Sequence, residues 1–293
     1  MNKLVFLIFI YSINSIFCFA QNDSIPLKFD TKYYNAVDKW VAFPKTEKDS
    51  TYTLGFIYID EMAGFTFNFE NSFTIKDQIL IPSEKDSVSK IAFIKSRLYT
   101  DTKNVAIINS KQLKELNLPL FPDWLEIYKS DEDNVEYLKQ IGYLYNHAGA
   151  SANAIEPLLK AYNKQPHFKG LEFELAFAYN ATKQFKKAIP VLEKAIANKN
   201  NDQLIYKELG YAFMNLQDFE KAESAFTEGI KNAKDDTIKA EMAINMCSVY
   251  FNKKDEKKYN KWIKIAKQYI NETSQFSQYV TYFESEWQKQ KNN

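Results

Sequence analysis

The sequence predicts a mainly α-helical protein: an array of helical hairpins, about four repeats plus a capping helix, preceded by a small α+β domain. Two observations predict it. Three stretches match one another column by column at a spacing of 34 residues, and a fixed period of that length marks stacked supersecondary units. Ahead of them, apolar side chains recur at a period of two, the pattern of strands with at least one buried face.

Ile141-Gly142, Leu175-Ala176 and Leu209-Gly210 share one pair of columns. Tyr145, Tyr179 and Phe213 share another, then Ala154, Ala188 and Ala222, then Leu158, Leu192 and Phe226, and last Ala161, Ala195 and Gly229. Small residues on both helices allow a close crossing, and a close crossing lets the pair bury its apolar stripe. The aromatic column fills the space beside each crossing, and Pro166 closes the first copy. This set of columns resembles the tetratricopeptide repeat, a helix-turn-helix of the same period, over roughly residues 135–270. The resemblance implies binding rather than catalysis, with a protein or peptide as partner.

A fourth copy fits once three residues are inserted before it: Met246-Cys247, Tyr250, Tyr259, Ile263 and Ala266. Tyr259 stands where the earlier copies have alanine, so packing there is expected to differ. Beyond it, Phe276, Tyr279, Val280, Phe283 and Trp287 recur at helical spacing. They predict a capping helix over 273–293 that covers the last apolar face of an array placed at 131–272. The carboxylates of Asp131-Glu132-Asp133 suit the N-terminus of the first repeat helix.

Residues 21–130 form the expected α+β domain. Tyr52, Leu54, Phe56 and Tyr58 make one run, Phe65, Phe67 and Phe69 a second, and Phe73, Ile75, Ile79 and Ile81 a third. With turns at Asp60–Gly64 and at Asn71-Ser72 they predict a three-stranded meander. A helix is expected from Asp30 toward Trp40, and a strand at Val105–Ile108. Ser110 is the expected cap of a short helix Lys111–Leu116, which stops before Pro119.

The N-terminus carries a different signal. Lys3 precedes the apolar run Leu4–Ile10, and Cys18-Phe19-Ala20 offers small residues where a signal peptidase reads. Residues 1–20 are the expected signal peptide, cleaved after Ala20, and the protein is expected to be exported to the periplasm or beyond. Tyr11, Ser12, Asn14 and Ser15 break the apolar core, which leaves it short for a membrane anchor. A lipoprotein would carry its lipid on Cys18, but bulky Phe17 precedes it where a small residue is wanted. No second long apolar run follows, so no membrane span is expected after cleavage. Cys247 then remains alone, which excludes an intramolecular disulfide and suits a small buried residue.

Composition narrows the function further. Lys and Arg number 38 against 37 Asp and Glu, and Arg97 is the single arginine. Such a balance argues against nucleic acid as a partner. Both histidines, His147 and His167, lie in the repeats. A Ser/His, Cys/His or histidine-rich metal site in the leading domain is therefore excluded. The chain holds seven glycines and no phosphate-binding loop, and neither metal nor cofactor is expected. Only carboxylates could support an enzyme: Asp60, Glu61 and Glu70 could converge across a hairpin as the paired acids of a hydrolase do. The expectation is a non-enzymatic scaffold or adaptor, with that envelope hydrolase as the alternative.

Under the resemblance, the first helix of each unit lines a concave groove, and helical spacing picks its inward residues. These are Lys139, Tyr143 and Asn146, then Phe173, Phe177 and Asn180, then Lys207, Tyr211, Met214 and Asn215, and finally Ser248, Phe251 and Asn252. Rings supply rigid contact area, and asparagine bonds a peptide backbone as donor and acceptor. One subset of the family clamps a C-terminal carboxylate with lysine, asparagine and arginine. Lys139 and Lys207 stand where that clamp has lysines, but Tyr143 and Phe177 replace its asparagines and Tyr211 its arginine. Carboxylate capture is not expected. Two placements stay open for the rings: the groove wall, or packing within the array or against the leading domain.

Overall fold

A computed structural model describes residues 27–84, 94–129, 133–271 and 273–292. The expected signal segment with Cys18, and the pair Asp131-Glu132, lie outside these residues.

The apolar runs of the leading region pair into one antiparallel sheet. Its strands are β1 (Lys39–Phe43), β2 (Tyr52–Asp60), β3 (Gly64–Lys76), β4 (Ile79–Pro82), β5 (Lys95–Arg97) and β6 (Ala106–Ile107), in the order β4-β3-β2-β1-β6 with β5 also paired to β3. Both faces of this sheet are covered. Val41, Ile57, Ile59, Phe65 and Phe67 pack on Tyr137 and Ile141 of α2 (Val135–His147). Trp40, Phe56, Tyr58, Phe73 and Leu80 pack on Leu113 of α1 (Ser110–Glu115) and on Leu116 and Leu125. A strand covered on both sides has no polar face, which is why six consecutive residues of β2 are buried.

The structure differs from the sequence expectations at three places here. Asn71-Ser72 is not a turn, because β3 runs through it. Leu54 faces Asn71 while Gly55 faces Phe69, so Glu70 is the extra residue of a bulge. The turn lies at Asp77-Gln78, whose φ values of 49° and 67° make a hairpin of the type that matches strand twist. No helix runs from Asp30 toward Trp40. A single 3-10 turn at Tyr33–Asn35 is followed by Asp38 at φ 58°, and Trp40 to Ala42 then pair with β2. The short helix α1 is capped by Asn109 rather than Ser110. The Asn109 carboxamide oxygen accepts from the backbone of Lys111 and Gln112, and the Gln112 side chain accepts from Asn109 N–H. The edge strand β4 is protected as well: Glu115 accepts the Leu80 N–H at 3.0 Å, and Pro82 has no N–H to offer.

Four helical hairpins follow. They are α2 with α3 (Ser151–Lys164), α4 (Leu171–Ala181) with α5 (Phe185–Ala197), α6 (Gln203–Asn215) with α7 (Phe219–Asn232), and α8 (Asp236–Asn252) with α9 (Glu256–Tyr269). Each pair turns on one residue in the left-handed region: Gly149, Lys183, Gln217 and Lys254. Behind each turn an N–H reaches back to the aromatic column, from Ala150, Gln184, Asp218 and Asp255 to the carbonyls of Tyr145, Tyr179, Phe213 and Tyr250. The small-residue columns do what close crossing requires. A Cβ at Gly142 would overlap the Leu158 side chain, and one at Gly210 would stand 2.5 Å from the Phe226 ring.

Successive first helices touch, α2 with α4, α4 with α6 and α6 with α8, whereas successive second helices make no comparable contact. The array therefore curves with α2, α4, α6 and α8 on its inner side. The last helix, α10 (Ser277–Asn292), packs on α8 and α9. Its Trp287 stacks on Tyr259 with ring centroids 4.1 Å apart, and its Phe283 lies 5.1 Å from Phe251. Tyr259, the residue that breaks the alanine column, is thus the seat of the cap.

Candidate functional site

The inner layer of first helices carries the residues singled out from the sequence, and it splits them into three groups. Asn146 and Asn180 are buried and bridge consecutive units. The Asn146 amide donates to the Glu174 carbonyl at 3.0 Å and to its carboxylate at 2.8 Å. One unit later the Asn180 amide does the same to Glu208, at 3.0 and 2.8 Å. These amides stitch the array together rather than lying open to a groove. Met214 takes the next place in that column, half-buried against the core, and the ladder ends there.

Burial raises the Glu174 carboxyl above its ordinary value, opposed by the Asn146 hydrogen bond and by Lys139 and His147. It raises Glu208 as well, opposed by Asn180 and Lys207. Lys207 lies 3.8 Å from Glu208 and 3.3 Å from Glu241 of the next unit, so it spans two first helices. Lys139, two units earlier in the same column, has no ion-pair partner among the described residues.

The second group is exposed or half-exposed. Tyr143 tilts over His147 with centroids 4.5 Å apart, Phe173 and Phe177 are 6.1 Å apart on one face of α4, and Tyr211 meets Phe185 edge-on at 6.1 Å. Phe173 also leans on the core. Asn215 is exposed and its amide donates to the Tyr211 carbonyl of its own helix. The leading sheet does not occupy this face. It packs on Tyr137, Ile141, Leu144 and Tyr145, a different stripe of α2, where Tyr145 meets Phe65 edge-on at 5.2 Å.

The third group closes the far end. Phe251 is buried among Tyr259, Phe283 and Trp287, while Ser248 and Asn252 line a cleft of about 540 Å³ between α8 and α10. An adjoining cleft of about 690 Å³ continues along α8 past Asn245 and Glu241. The sequence points to α10 only as a cap; its side chains in fact form one wall of the inner surface.

Other candidate chemistries find no matching geometry. Asp60 caps the β2–β3 turn by accepting from Met62 and Ala63, and Glu70 sits at the bulge near the opposite end of the hairpin. Six residues of strand separate them, roughly 20 Å at about 3.4 Å per residue, so the paired-acid arrangement does not form. His167 is tied to buried Glu172 at 2.6 Å, and no cluster of potential metal ligands occurs among the described residues. Cys247 is buried, and burial pushes its thiol up to about 12, which makes it a poor nucleophile. No helix among the described residues is long and apolar enough to cross a membrane.

No protein-family model matches the chain, and no curated protein does. Several solved structures are similar over about half of it. One is a crystal structure of MamA, 23% identical, spanning 50% of this chain and 84% of that one at a TM-score of 0.45. A second is MamA, residue 41 to its end, from Desulfovibrio magneticus RS-1, 19% identical over 54% of this chain and 84% of that one, TM-score 0.44. A thermophilic TPR protein from Thermus thermophilus is 15% identical over 54% of this chain and 83% of that one, TM-score 0.43. By its period, its hairpin turns and its small-residue crossings, the helical part of this chain is a tetratricopeptide-type array.

Proposed function

We propose that this chain is an exported scaffold of the bacterial cell envelope that holds a segment of another protein along the inner face of its array. The observation that carries the reading is the row of half-exposed rings, Tyr143, Phe177 and Tyr211, on first helices that the leading domain leaves uncovered. Aromatic side chains in such positions bury large area at small entropic cost, and they anchor interfaces. Export rests on the N-terminal apolar run followed by Cys18-Phe19-Ala20.

The leading sheet serves as the other cap of the array. It covers the apolar stripe of α2 that a preceding repeat would otherwise cover. Binding then needs no covalent chemistry. The rigid inner wall presents rings at unit spacing, and the partner segment contributes side chains that lie against them.

The test is affinity capture from envelope extract with the wild type and a Phe177→Ala, Tyr211→Ala variant whose circular dichroism matches it. A partner held by the first and released by the second supports the reading. Equal capture by both would move the site off the inner face and overturn it.

A further inference from the structure

Charge is unevenly spread along the chain. Residues 253–293 hold nine lysines against five acids, whereas residues 1–252 hold 29 basic groups against 32 acidic ones. Much of the excess stands on one helix. The second helix α9 carries five lysines, and its single acid is Glu256 in the first turn. The preceding second helix, α7, carries three glutamates and two lysines.

Burial fixes where the lysines of α9 point. Tyr259, Trp262, Ile263 and Ala266 turn the apolar stripe of the helix into the core. Lys257, Lys261 and Lys264 then fall together on the opposite stripe, about one turn apart, and all three are exposed. Lys254, in the left-handed turn just before the helix, is exposed as well. The stripe belongs to the outer layer of the array, away from the first helices that form its inner side.

The acids nearby do not cancel this charge. Glu223 is one carboxylate shared by two ammonium groups, Lys258 at 2.9 Å and Lys261 at 2.8 Å. Glu284 matches Lys267 at 2.7 Å, and Asp255 is turned to the helix N-terminus, where it accepts the Lys258 N–H. Lys253 lies 4.5 Å from the centre of the Phe219 ring, which stabilises its charge without neutralising it. Lys254, Lys257 and Lys264 have no ion-pair partner among the described residues.

The form of the surface selects the kind of partner. A lysine ammonium is a compact point charge and lacks the fork with which arginine fixes a single carboxylate or phosphate. The one arginine, Arg97, lies in the leading sheet. A stripe on the outward side of a helix has no walls to seat a chain. It suits a partner that is itself an extended layer of negative charge, and anionic phospholipid headgroups form such a layer. The exposed residues of α9 are all polar, so nothing on this stripe enters hydrocarbon.

We propose that the outer face of α9 docks the array on the surface of an anionic lipid bilayer. Lys254, Lys257, Lys261 and Lys264 face the headgroups, and the inner face of the array is turned away from them. The attachment is electrostatic and reversible, and it does not depend on what the inner face holds.

The experiment is vesicle flotation with the chain from Gln21 onward, the form expected after export, which lacks the N-terminal apolar run. Vesicles are phosphatidylcholine alone or with about one-third phosphatidylglycerol, and soluble polyglutamate is the competing probe. The phosphatidylglycerol vesicles should bind at least about tenfold tighter at about 50 mM salt, and the preference should vanish by about 500 mM. Lys254→Gln with Lys257→Gln and Lys264→Gln is expected to weaken binding by at least about tenfold, since each lysine beside such a surface contributes about fivefold. Lys186→Gln with Lys194→Gln and Lys199→Gln removes the same charge from another part of the array and should stay within about threefold of wild type.

Phe177→Ala with Tyr211→Ala should bind vesicles as the wild type does, so failure of the inner-face reading and failure of this one are read separately. Equal binding to both kinds of vesicle, or an equal loss in the two lysine variants, would overturn the proposal. So would the absence of binding to any vesicle, and binding of polyglutamate alone would assign the stripe to an acidic polymer instead.

Discussion

The array is joined in two different ways. Between the first and second units, and again between the second and third, a buried asparagine on the inner layer grips a buried glutamate of the next first helix. Between the third and fourth units that amide–carboxylate pair is absent among the described residues: Lys207 reaches Glu241 at 3.3 Å on the inner layer, and a larger network lies on the other side of the hairpins. Glu223 of α7 accepts from Tyr250 at 2.6 Å, Lys258 at 2.9 Å, Lys261 at 2.8 Å and the Trp262 ring nitrogen at 3.1 Å. The two joints place a carboxylate in opposite electrostatic settings. Burial dominates at Glu174 and Glu208 and raises them, whereas four donors outweigh burial at Glu223 and hold it at about 2. A repeat array thus keeps its geometry through unlike chemistry, and the place where the chemistry changes is where the period lengthens by three residues.

The largest expected effect breaks the second joint. Glu223→Gln keeps the shape but replaces charge-assisted hydrogen bonds with neutral ones. Lys258 and Lys261 are partly exposed and regain water, which trims the loss to about 2 kcal/mol. Urea unfolding at pH 7 measures it. The pH dependence carries the sign. Glu223 has its folded value depressed from 4.5 to about 2, so its contribution is complete above pH 4.5 and is lost as the pH falls toward 2. The wild type should weaken through that window, and Glu223→Gln should weaken less.

The first kind of joint should respond the other way. Glu208 has its folded value raised, so it favours the folded state most in acid and loses that contribution as pH rises through the folded value. Glu208→Gln removes a buried charge, and the amide it introduces could donate to Asn180 Oδ1, which is buried with no partner among the described residues. Stability at pH 7 should stay within about 1 kcal/mol of wild type or rise. Asn180→Ala instead leaves the carboxylate without its donor and should cost about 1–3 kcal/mol. A loss for Glu208→Gln as large as that for Asn180→Ala would mean that the Lys207 contact, and not the amide, governs this joint.

These joints also mark how far the sequence can be read. The array is legible because its contacts repeat at a fixed offset, so the column of Gly142, Ala176 and Gly210 announces the same crossing three times. Helical direction alone places Asn146 and Asn180 in the groove. Their partners Glu174 and Glu208 stand 28 residues on in each case, and that second periodicity is the signal that exposes the ladder. Glu223 leaves no such trace, since its four partners occur once. The leading sheet is legible as strands but not in its turns. Asp77-Gln78 carries no glycine although both residues have positive φ, while Asn71-Ser72 looks like a turn and adjoins a bulge within β3. The role of α10 in the inner wall stays hidden because amphipathic spacing identifies the buried stripe of a helix and says little about the neighbours of its other stripe.

The smallest effect asks whether the four hairpin turns are equivalent. Gly149 and Gln217 hold the same column, at φ 73° and 63°, and a Cβ at Gly149 would meet nothing within 4 Å. Gln217 is exposed and its side chain makes no hydrogen bond among the described residues, so any difference between the two is conformational. A left-handed residue other than glycine costs about 1 kcal/mol. Gly149→Ala should therefore destabilise by about that amount and Gln217→Gly should stabilise by nearly as much, both read from the urea midpoint at unchanged slope. Equal and opposite shifts would make the first and third turns one structural device despite different residues. A gain at Gln217 with no loss at Gly149 would place the strain in the third hairpin itself, next to the joint where the array changes its chemistry.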